Sequence, residues 1–398
     1  MLKVAHLTKR RDACYWLRCL TPSGMLNSIG HKVQSELFEQ NLFCHACQKG
    51  VIEFQWGTTE AEFKCPDCSA VLMDAESKKN WHQQIDRIIE ESDVICFQRP
   101  TSIEALNLMI HAKSRGKVVT QVCDDNYLDV PEWNTGYKYY TARRKLIEET
   151  LKVCDSLDVT VPYLAERYKD YCKDIEVLPN CHDMAMLDLA PVITGLDCFD
   201  GKGVRHSFEH FQNARQGKRV ILWGGSPTHE KDLELVVTAC RRISRQENVV
   251  FAFVGYIHRA LVEVLPKDRL FLFSLVSNMQ YFSLMKTISA EVGLAPAAAH
   301  PFNLGKSNLR VLEYCFLRTY PVASNYPTYA GSAPQAVYAN DEYGWFVGMR
   351  KAAGMDEDEM KAAADENRAY AEVNYDISTQ IHRWVDYYTR LSNREIRK

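Results

Sequence analysis

Residues 291–325 read EVGLAPAAAHPFNLGKSNLRVLEYCFLRTYPVASN, and this stretch decides the fold of the chain. Glu291 to Pro296 is a short apolar run that ends in proline, which predicts a buried strand. The small residues from Ala297 to Gly305 predict a loop, and a helix capped by Ser307 is expected to run from Ser307 to Leu317. Tyr320 to Ser324 predicts the next strand. Strand, loop, helix and strand in this order are typical of a parallel α/β sheet.

The loop of this stretch has the features of an anion-binding site. It leads onto a helix N-terminus at the carboxyl end of a strand, where free backbone N–H groups and the helix dipole attract negative charge. Glu313 is the only charge among the apolar and aromatic residues from Val311 to Leu317, and a carboxylate there needs a partner such as a ribose diol. The candidate donor-binding residues of the loop are Asn303, Gly305, Lys306, Ser307 and Asn308.

The segment FNLGKSNLRVLEYCFLRTYPVAS, residues 302–324, resembles the donor-site segment of GT-B glycosyltransferases, especially relatives of the retaining family four. Glu313 matches the second Glu of their E-x7-E motif, which holds the nucleotide ribose, whereas the first Glu falls at Gly305. A divergent group that carries FN-x-x-KS is a better match. The resemblance covers nearly the whole chain apart from roughly residues 33–80. It implies a nucleoside diphosphate sugar donor, retention at the anomeric carbon and no catalytic metal.

Composition excludes several other classes of protein. The chain has 398 residues, enough for two domains, and its net charge of −3 gives no general attraction to nucleic acid or membrane. No apolar run approaches membrane-spanning length, and the sequence opens with a strand-like MLKVAHL rather than a signal peptide. Fourteen cysteines without a secretion signal favour reduced thiols. We therefore expect a cytoplasmic protein, in the host cytoplasm if a phage encodes it.

Alternating strand-like and helix-like runs predict the domain organisation. Residues 1–183 are expected to form a Rossmann-like acceptor domain, and residues 218–370 a Rossmann-like donor domain. Residues 184–217 have little periodicity and hold several glycines, which predicts a linker. Residues 371–398 hold an amphipathic helix that crosses back onto the first domain in GT-B enzymes. The predicted fold class is α/β, with two Rossmann-like domains and a small zinc-ribbon insertion in the first.

The insertion, at about residues 40–72, carries two C-x2-C knuckles with 17 residues between them. This is the spacing of a zinc ribbon, and four thiolates close a tetrahedral shell, so the zinc is expected to be structural. Val51 to Trp56 and Ala61 to Lys64 predict a small hairpin between the knuckles. Free or redox-active thiols are the alternative. The predicted zinc ligands are Cys44, Cys47, Cys65 and Cys68.

An acidic pair follows the strand-like run Lys117 to Val122. Asp124 and Asp125 come at its carboxyl end, where open α/β sheets place functional residues, and the segment is similar to DD-x-x-x-D-x-P in the divergent group. We expect both carboxylates to face the cleft, and we count them with Lys306 as candidate catalytic residues. Metal binding, acceptor positioning and plain capping of the next helix are the possible roles.

A basic and aromatic loop follows the first strand of the chain. Tyr15-Trp16-Leu17-Arg18 followed by Pro22 is similar to the cleft-facing loop of the divergent group. This likeness implies that Tyr15, Trp16 and Arg18 bind the acceptor, with Arg18 on a phosphate or on the acceptor itself. A solvated basic turn before a core helix is the alternative.

The first strand of the second half, Arg219 to Trp223, ends in a Gly-Gly turn. Glycines let the backbone approach a diphosphate, so Gly224, Gly225 and Ser226 are candidate donor-binding residues. Arg259 follows the next strand and is a candidate phosphate ligand, with a surface role as its alternative.

Two acceptor classes fit the sequence, a glycan or surface-polymer precursor and a hydroxymethylated base in phage DNA. The ribbon, the basic segments Lys9-Arg10-Arg11 and Arg143-Arg144-Lys145, and the aromatic residues beside them favour DNA. Residues 1–185 hold 23 Lys+Arg and 27 Asp+Glu, and this net −4 charge opposes it. Because the first Glu of the motif is missing, a catalytically idle scaffold whose ribbon binds nucleic acid or a protein partner is the alternative function.

Overall fold

Two large, mainly parallel sheets organise the chain in this computed structural model, which describes residues 1–9, 13–55, 62–274 and 276–394. The chain divides into two compact units. The first comprises Met1–Leu128, Thr141–Cys181 and Gln380–Lys398, and the second comprises Asp129–Tyr140 and His182–Thr379. Within the described ranges, no helix has the length and apolar character needed to span a membrane.

Up to residue 181, the strands are β1 (Lys3–Thr8), β2 (Lys32–Leu37), β3 (Glu39–Cys44), β4 (Lys49–Gln55), β5 (Phe63–Lys64), β6 (Val71–Met73), β7 (Val94–Gln98), β8 (Val118–Cys123), β9 (Ser156–Val159) and β10 (Ile175–Val177). The helices are α1 (Ala13–Tyr15), α2 (Thr21–Ser28), α3 (Ala75–Glu91), α4 (Ile103–Ser114), α5 (Tyr137–Ala142), α6 (Arg144–Val153) and α7 (Pro162–Tyr168), with a π-helical turn over Trp16–Leu20.

After residue 181, the strands are β11 (Asp197–Asp200), β12 (Arg205–Ser207), β13 (Arg219–Gly225), β14 (Val249–Gly255), β15 (Leu270–Phe273), β16 (Val292–Ala295), β17 (Tyr320–Ser324) and β18 (Val337–Ala339). The helices are α8 (Met184–Leu189), α9 (Phe208–Arg215), α10 (Glu230–Glu234), α11 (Val237–Gln246), α12 (Arg259–Val264), α13 (Asn278–Ile288), α14 (Pro301–Leu304), α15 (Leu309–Phe316), α16 (Glu342–Gly354), α17 (Glu357–Tyr375) and α18 (Ile377–Ser392).

The main sheet of the first unit has the order β10-β9-β8-β7-β1-β2, and each neighbouring pair is parallel. The chain leaves β1 toward β2 on one side and resumes at β7 on the other. The order therefore reverses between β1 and β7, which end at Thr8 and Gln98. The register places a row of mostly polar residues across four strands, namely His6, Cys96, Thr120 and Ser156.

The sheet of the second unit has the order β12-β11-β15-β14-β13-β16-β17-β18. Alternate side chains of β13 enter different cores, since Val220 and Leu222 pack on one side and Ile221 and Trp223 on the other. Burial on both faces explains why these strands read as unbroken apolar runs rather than as alternating patterns. Together with the first unit, this sheet confirms the predicted α/β class with two Rossmann-like units.

The predicted linker at residues 184–217 is wrong, because those residues fold into the second unit as α8, β11, β12 and α9. Strand β11 pairs antiparallel with β15 through Phe199 and Leu272, so it extends the parallel sheet at one edge. Short strands with charged residues are typical of sheet edges, and they carry little periodicity that a sequence reading can use.

Candidate functional site

The strand order of the second unit marks where a ligand site is expected. Strand β13 is the first of the parallel set, with β14 on one side and β16 on the other, so the order reverses between β13 and β16. Ligands of open α/β sheets bind at the carboxyl ends of strands at this reversal. Here these ends are Gly225 and Ala295, which lead into the Gly-Gly turn and the loop before α15.

The loop after β16 is more ordered than the sequence predicts. It contains the short helix α14, whose N-cap His300 accepts a hydrogen bond at Nδ1 from the Phe302 N–H at 3.1 Å. The helix predicted from Ser307 begins instead at Leu309, with Asn308 as its N-cap. Asn308 does not cap the helix through its side chain, which donates to the Tyr375 hydroxyl at 3.1 Å. The side chain of Asn308 therefore leaves the first-turn N–H groups of α15 to other partners.

Asn303 has an internal role in this structure. It is 4% exposed, and its side-chain amide donates to Asp232 Oδ1 and to the Ala298 carbonyl, both at 2.9 Å. Asp232 also accepts from the Ala298 N–H at 2.8 Å and lies 2.7 Å from His229 Nδ1. Asn303 thus ties the loop to α10, and its side-chain amide donates to protein acceptors.

Lys306 lies on this loop, half-buried, with its Nζ 4.6 Å from the centre of the Phe302 ring. The pKa of His229 is lowered, mainly by burial. The hydrogen bond to Asp232 acts in the opposite direction, and the positive charge of Lys306 lowers the pKa further. The lysine charge therefore reaches the turn that follows β13. Gly305 is buried, and Ser307 is half-buried.

Glu313 is the buried carboxylate that the sequence singled out. It is 8% exposed, and its pKa is raised by burial. Arg310 and a hydrogen bond from Tyr281 act in the opposite direction but do not outweigh burial. The Tyr281 hydroxyl donates to Glu313 Oε2 at 3.3 Å, and Arg310 Nε lies 4.0 Å from the same oxygen. Both of these contacts, with partners among the described residues, are long, which leaves the carboxylate able to accept a further hydrogen bond.

The Gly-Gly turn meets the same two side chains. A Cβ at Gly224 would lie 3.2 Å from the Tyr281 hydroxyl, and a Cβ at Gly225 would lie 3.3 Å from Arg310 Nη2 and 2.7 Å from the Trp223 ring. The structure therefore brings Gly224, Gly225 and Glu313 together around Tyr281 and Arg310. Beside them, Ser226 Oγ is 2.7 Å from Thr228 Oγ1.

Sequence reasoning missed Tyr281 and Arg310. Arg310 had a usable signal, because it precedes Glu313 by three residues and so shares its helix face. Tyr281 had none, since it lies 32 residues away in α13. Arg259 lies on the surface, where its side chain is 91% exposed and pairs with Glu263 at 2.8 Å. This exposed pair favours the surface role that the sequence left as an alternative to phosphate binding.

In the first unit, the predicted acceptor role of Arg18 does not match its position. Arg18 is 1% exposed, forms an ion pair with buried Asp158 and donates to the Leu178 carbonyl at 2.7 Å. A guanidinium enclosed in this way holds the unit together rather than meeting an acceptor. Tyr15 is also buried, at 7% exposure, whereas Trp16 is half-buried.

The two aspartates after β8 have different surroundings. Asp124 is 8% exposed, accepts from the Tyr127 hydroxyl and lies 3.8 Å from Arg99 Nε. Burial raises its pKa, but Arg99 and the hydrogen bonds outweigh burial, so the pKa is lowered overall. Asp125 is half-buried, and its backbone carbonyl accepts from the Tyr168 hydroxyl at 2.9 Å. Asp124 is therefore an internal ionic group, and Asp125 is the more accessible carboxylate.

The four cysteines of the insertion form one cluster, with all their sulfur atoms within 4.8 Å of one another. Cys44 Sγ is 3.5 Å from Cys68 Sγ, and Cys47 Sγ is 3.7 Å from Cys65 Sγ. The donor set is compatible with structural zinc, which takes four thiolates in a closed shell. The cluster is the only group of three or more potential metal ligands found within the described residues.

The hairpins of the insertion differ from the prediction. The expected hairpin spanned the gap between the knuckles, and residues 56–61 of that gap lie outside the described residues. The observed hairpins instead contain the knuckles, because β3 pairs with β4 across the first and β5 with β6 across the second. Each knuckle has a left-handed residue after its second cysteine, Gln48 at φ 56° and Ser69 at φ 62°. The two knuckles thus share one backbone feature.

Two Rossmann-like units in one chain are the arrangement of the GT-B class of fold, and solved structures agree. A glycosyltransferase from Rickettsia africae ESF-5 matches with a TM-score of 0.60 and 12% identity, over 99% of this chain and 100% of that one. An alpha,alpha-trehalose 6-phosphate synthase from Burkholderia multivorans matches with a TM-score of 0.60 and 11% identity, over 98% of this chain and 97% of that one. A TarM variant from S. aureus in complex with Fondaparinux, alpha-GlcNAc-glycerol and UDP matches with a TM-score of 0.55 and 9% identity, over 90% of this chain and 67% of that one. At these identities the likeness shows the fold alone. No protein-family model and no curated protein matches the chain.

Proposed function

We propose that this chain is a glycosyltransferase that moves a sugar from a nucleoside diphosphate sugar to an acceptor hydroxyl, with retention at the anomeric carbon. One observation carries the proposal: the Gly224-Gly225 turn and Glu313 converge on Tyr281 and Arg310 at the carboxyl edge of the second sheet. The glycines let a diphosphate approach the backbone, and the carboxylate can accept hydrogen bonds from a ribose diol. Together they suit the two polar parts of a nucleotide. The solved structures of similar fold include glycosyltransferases, and one of them contains UDP.

The chemistry asked of this site is the stabilisation of the leaving diphosphate. Negative charge grows on that group as the glycosidic bond to the donor breaks, and preorganised donors stabilise it best. Lys306 and the first-turn N–H groups of α15 lie on the segment that follows β16. Together they supply a full and a partial positive charge without a catalytic metal.

Glu313 orients the donor in this proposal. Its contacts with Tyr281 and Arg310 are long, so the two hydroxyls of a ribose are suited to complete its hydrogen bonding. We assign no protein side chain as the base. An oxygen of the donor phosphate accepts the proton of the acceptor hydroxyl, which fits a retaining transfer.

For the acceptor, a glycan or surface-polymer precursor fits better than DNA. Residues 1–185 carry a net charge of −4, whereas DNA affinity rests on a positive field. Of the basic segments that favour DNA, Arg10 and Arg11 lie outside the described residues. Arg144 pairs with Glu148 at 3.1 Å and donates to the Leu128 carbonyl at 2.7 Å. A hydroxymethylated base in DNA is the second acceptor class to test.

The test begins with thermal shift against a panel of sugar nucleotides, because a bound ligand raises the apparent stability by mass action. We expect Lys306→Ala to abolish sugar transfer and Glu313→Ala to weaken nucleotide binding by about 1–3 kcal/mol. Arg350→Ala is the matched control, since this arginine lies on the surface, where its side chain is 62% exposed and pairs with Glu247. Wild-type nucleotide affinity in both site variants would contradict the assignment.

Two further outcomes separate the alternatives. Nucleotide binding without transfer or donor hydrolysis would identify an idle scaffold. For the acceptor, the protein is incubated with donors and either hydroxymethylated or unmodified duplex DNA, followed by nucleoside mass spectrometry. A sugar mass on the modified base identifies DNA as the acceptor, and its absence together with no salt-dependent DNA binding favours a glycan.

A further inference from the structure

Arg310 is a buried cation beside Glu313 and the Gly-Gly turn. It is the second residue of α15, and its side chain is 15% exposed. Its guanidinium carbon lies 5.5 Å from the centre of the Trp223 ring. Among the described residues its Nη1 has no hydrogen-bond partner, and that nitrogen is fully buried. A buried guanidinium nitrogen without an acceptor is costly, so this position calls for a function.

The nearest carboxylate does not meet this need. Glu313 Oε2 is 4.0 Å from Arg310 Nε, which is beyond hydrogen-bond distance, and the same oxygen already accepts from the Tyr281 hydroxyl at 3.3 Å. The contact is therefore a longer-range attraction that leaves Arg310 Nη1 without an acceptor among the described residues. The neighbouring carboxylate and tyrosines raise the pKa of Arg310 against the effect of burial, so the side chain remains charged.

The guanidinium is directed at the Gly-Gly turn. A Cβ at Gly225 would lie 3.3 Å from Arg310 Nη2, and a Cβ at Gly224 would lie 3.2 Å from the Tyr281 hydroxyl. Because neither glycine has a side chain, the Trp223 ring, the Tyr281 hydroxyl and Arg310 Nη2 all come close to the backbone of the turn. An anion that enters along this turn would meet a planar, permanently charged fork, the geometry that suits phosphate oxygens best.

We infer that Arg310 binds the diphosphate of the donor at the Gly224-Gly225 turn. The inference rests on the proposed function and deepens it, because it gives the phosphate contact to a residue of α15 rather than to exposed Arg259. In this arrangement the helix presents Arg310 to the phosphates and Glu313, one turn later, to the ribose. The two residues then distinguish the two parts of the nucleotide.

A structural role is the competing explanation, in which Arg310 only positions Glu313. The two roles differ in how affinity depends on phosphate. If Arg310 binds phosphate, its removal lowers the affinity for the diphosphate and leaves the affinity for the nucleoside unchanged. If Arg310 only positions Glu313, its removal lowers the affinities for the nucleoside and the diphosphate by the same factor.

The experiment measures dissociation constants by calorimetry for the full chain. UDP, ADP, GDP and dTDP are screened first, and the tightest binder is compared with its monophosphate and its nucleoside. The variants are Arg310→Gln, Arg310→Lys and Glu313→Gln, with Arg350→Gln as the surface control. Unfolding midpoints verify that each variant is folded. If Arg310→Gln does not fold, the comparison of diphosphate with nucleoside is made with Arg310→Lys.

We expect Arg310→Gln to weaken diphosphate binding by roughly ten- to a hundredfold, the effect of a lost charge-assisted hydrogen bond, with the nucleoside unaffected. Arg310→Lys should lose less, because it keeps the charge but not the fork. Glu313→Gln should weaken nucleoside and diphosphate alike. If the Arg310 variants lose affinity for the nucleoside and the diphosphate equally, or lose none, the inference is overturned, whereas the proposal that the chain binds a nucleotide is not. A wild-type protein that binds none of the four diphosphates would instead overturn the proposed function, and the inference with it.

Discussion

His6 Nε2 lies 2.9 Å from the hydroxyl oxygen of Tyr388, although 382 positions separate the two residues in the sequence. Both are fully buried in the first unit. Tyr387, the neighbour of Tyr388 in α18, lies 3.0 Å from Ser156 Oγ and 2.5 Å from Thr120 Oγ1. The hydroxyls of α18 therefore satisfy the polar row of the sheet, and this matching fixes where the helix docks.

Tyr388→Phe should destabilise the first unit. The substitution keeps the ring but leaves His6 without this buried partner, at a cost of about 1–3 kcal/mol in unfolding free energy. Urea unfolding measures the change, with Tyr343→Phe as the control because Tyr343 is 63% exposed. Equal unfolding midpoints for Tyr388→Phe and wild type would show that the pair contributes nothing.

Acid should destabilise the second unit through His182. Burial lowers the pKa of His182 from 6.5 to about 3, and its ring packs edge-on against Phe282 and Phe316. Between these two pKa values the unfolded state binds more protons, so the unfolding free energy decreases as pH falls. His182→Phe removes this titration, and its urea midpoint should change less than that of wild type between about pH 7.5 and about pH 5. The other titrating groups are shared by both proteins; equal pH slopes would refute this origin of acid lability.

The cysteine cluster should bind one zinc ion per chain. Purification without chelator followed by metal analysis gives the stoichiometry, and Cys65→Ser should lower it because the four-thiolate shell is then incomplete. Cys14→Ser is the control, since Cys14 lies outside the cluster. Loss of zinc should unfold the insertion without directly affecting the proposed chemistry. A zinc-free wild-type protein would contradict the assignment.

Gly225→Ala should weaken nucleotide binding by at least about tenfold. The added Cβ would lie 2.7 Å from the Trp223 ring and 3.3 Å from Arg310 Nη2, so the groups that line the turn must shift. Gly354→Ala is the control, because nothing lies within 4 Å of a Cβ built there. Calorimetry with the best-binding diphosphate gives the comparison, and retained affinity in Gly225→Ala would place the ligand elsewhere.

The two aspartates after β8 should respond differently to the same substitution. Asp125→Asn should lower turnover with little effect on stability, because this carboxylate is half-buried. Asp124→Asn should mainly lower stability, since it weakens the buried interaction with Arg99 and Tyr127. Turnover with each active donor and urea midpoints distinguish the two effects. Unchanged turnover in Asp125→Asn would end the functional reading of the pair.

The fold was largely predictable because its strands are buried on both faces. Val292–Ala295 and Tyr320–Ser324 appear as short apolar runs, and the residues between them end one strand and begin a helix. The edge hairpin at β11 and β12 was not predictable. Its strands are short and polar, and β11 depends on pairing with β15, about seventy residues later. Tertiary contact rather than local pattern makes them strands.

The candidate site could be proposed from the sequence where its residues are close together. Lys306 and Glu313 share one segment, and the Gly-Gly turn follows a recognisable strand. Arg18 shows the limit of this reasoning. Its partner Asp158 is 140 positions away, so nothing nearby distinguishes a buried ion pair from a ligand-facing arginine. Charged residues in a helix or loop indicate a partner, but not whether that partner is protein or ligand.

The docking of α18 on the first unit also determines when that unit can finish folding during synthesis. Ribosomes add roughly 5–20 residues per second, so the 382 positions between His6 and Tyr388 require about 20–75 s. Throughout that interval the polar row of the nascent sheet lacks the hydroxyls that later cover it. The second unit, whose residues end at Thr379, emerges before the first is complete. The half that is translated first therefore completes its core last.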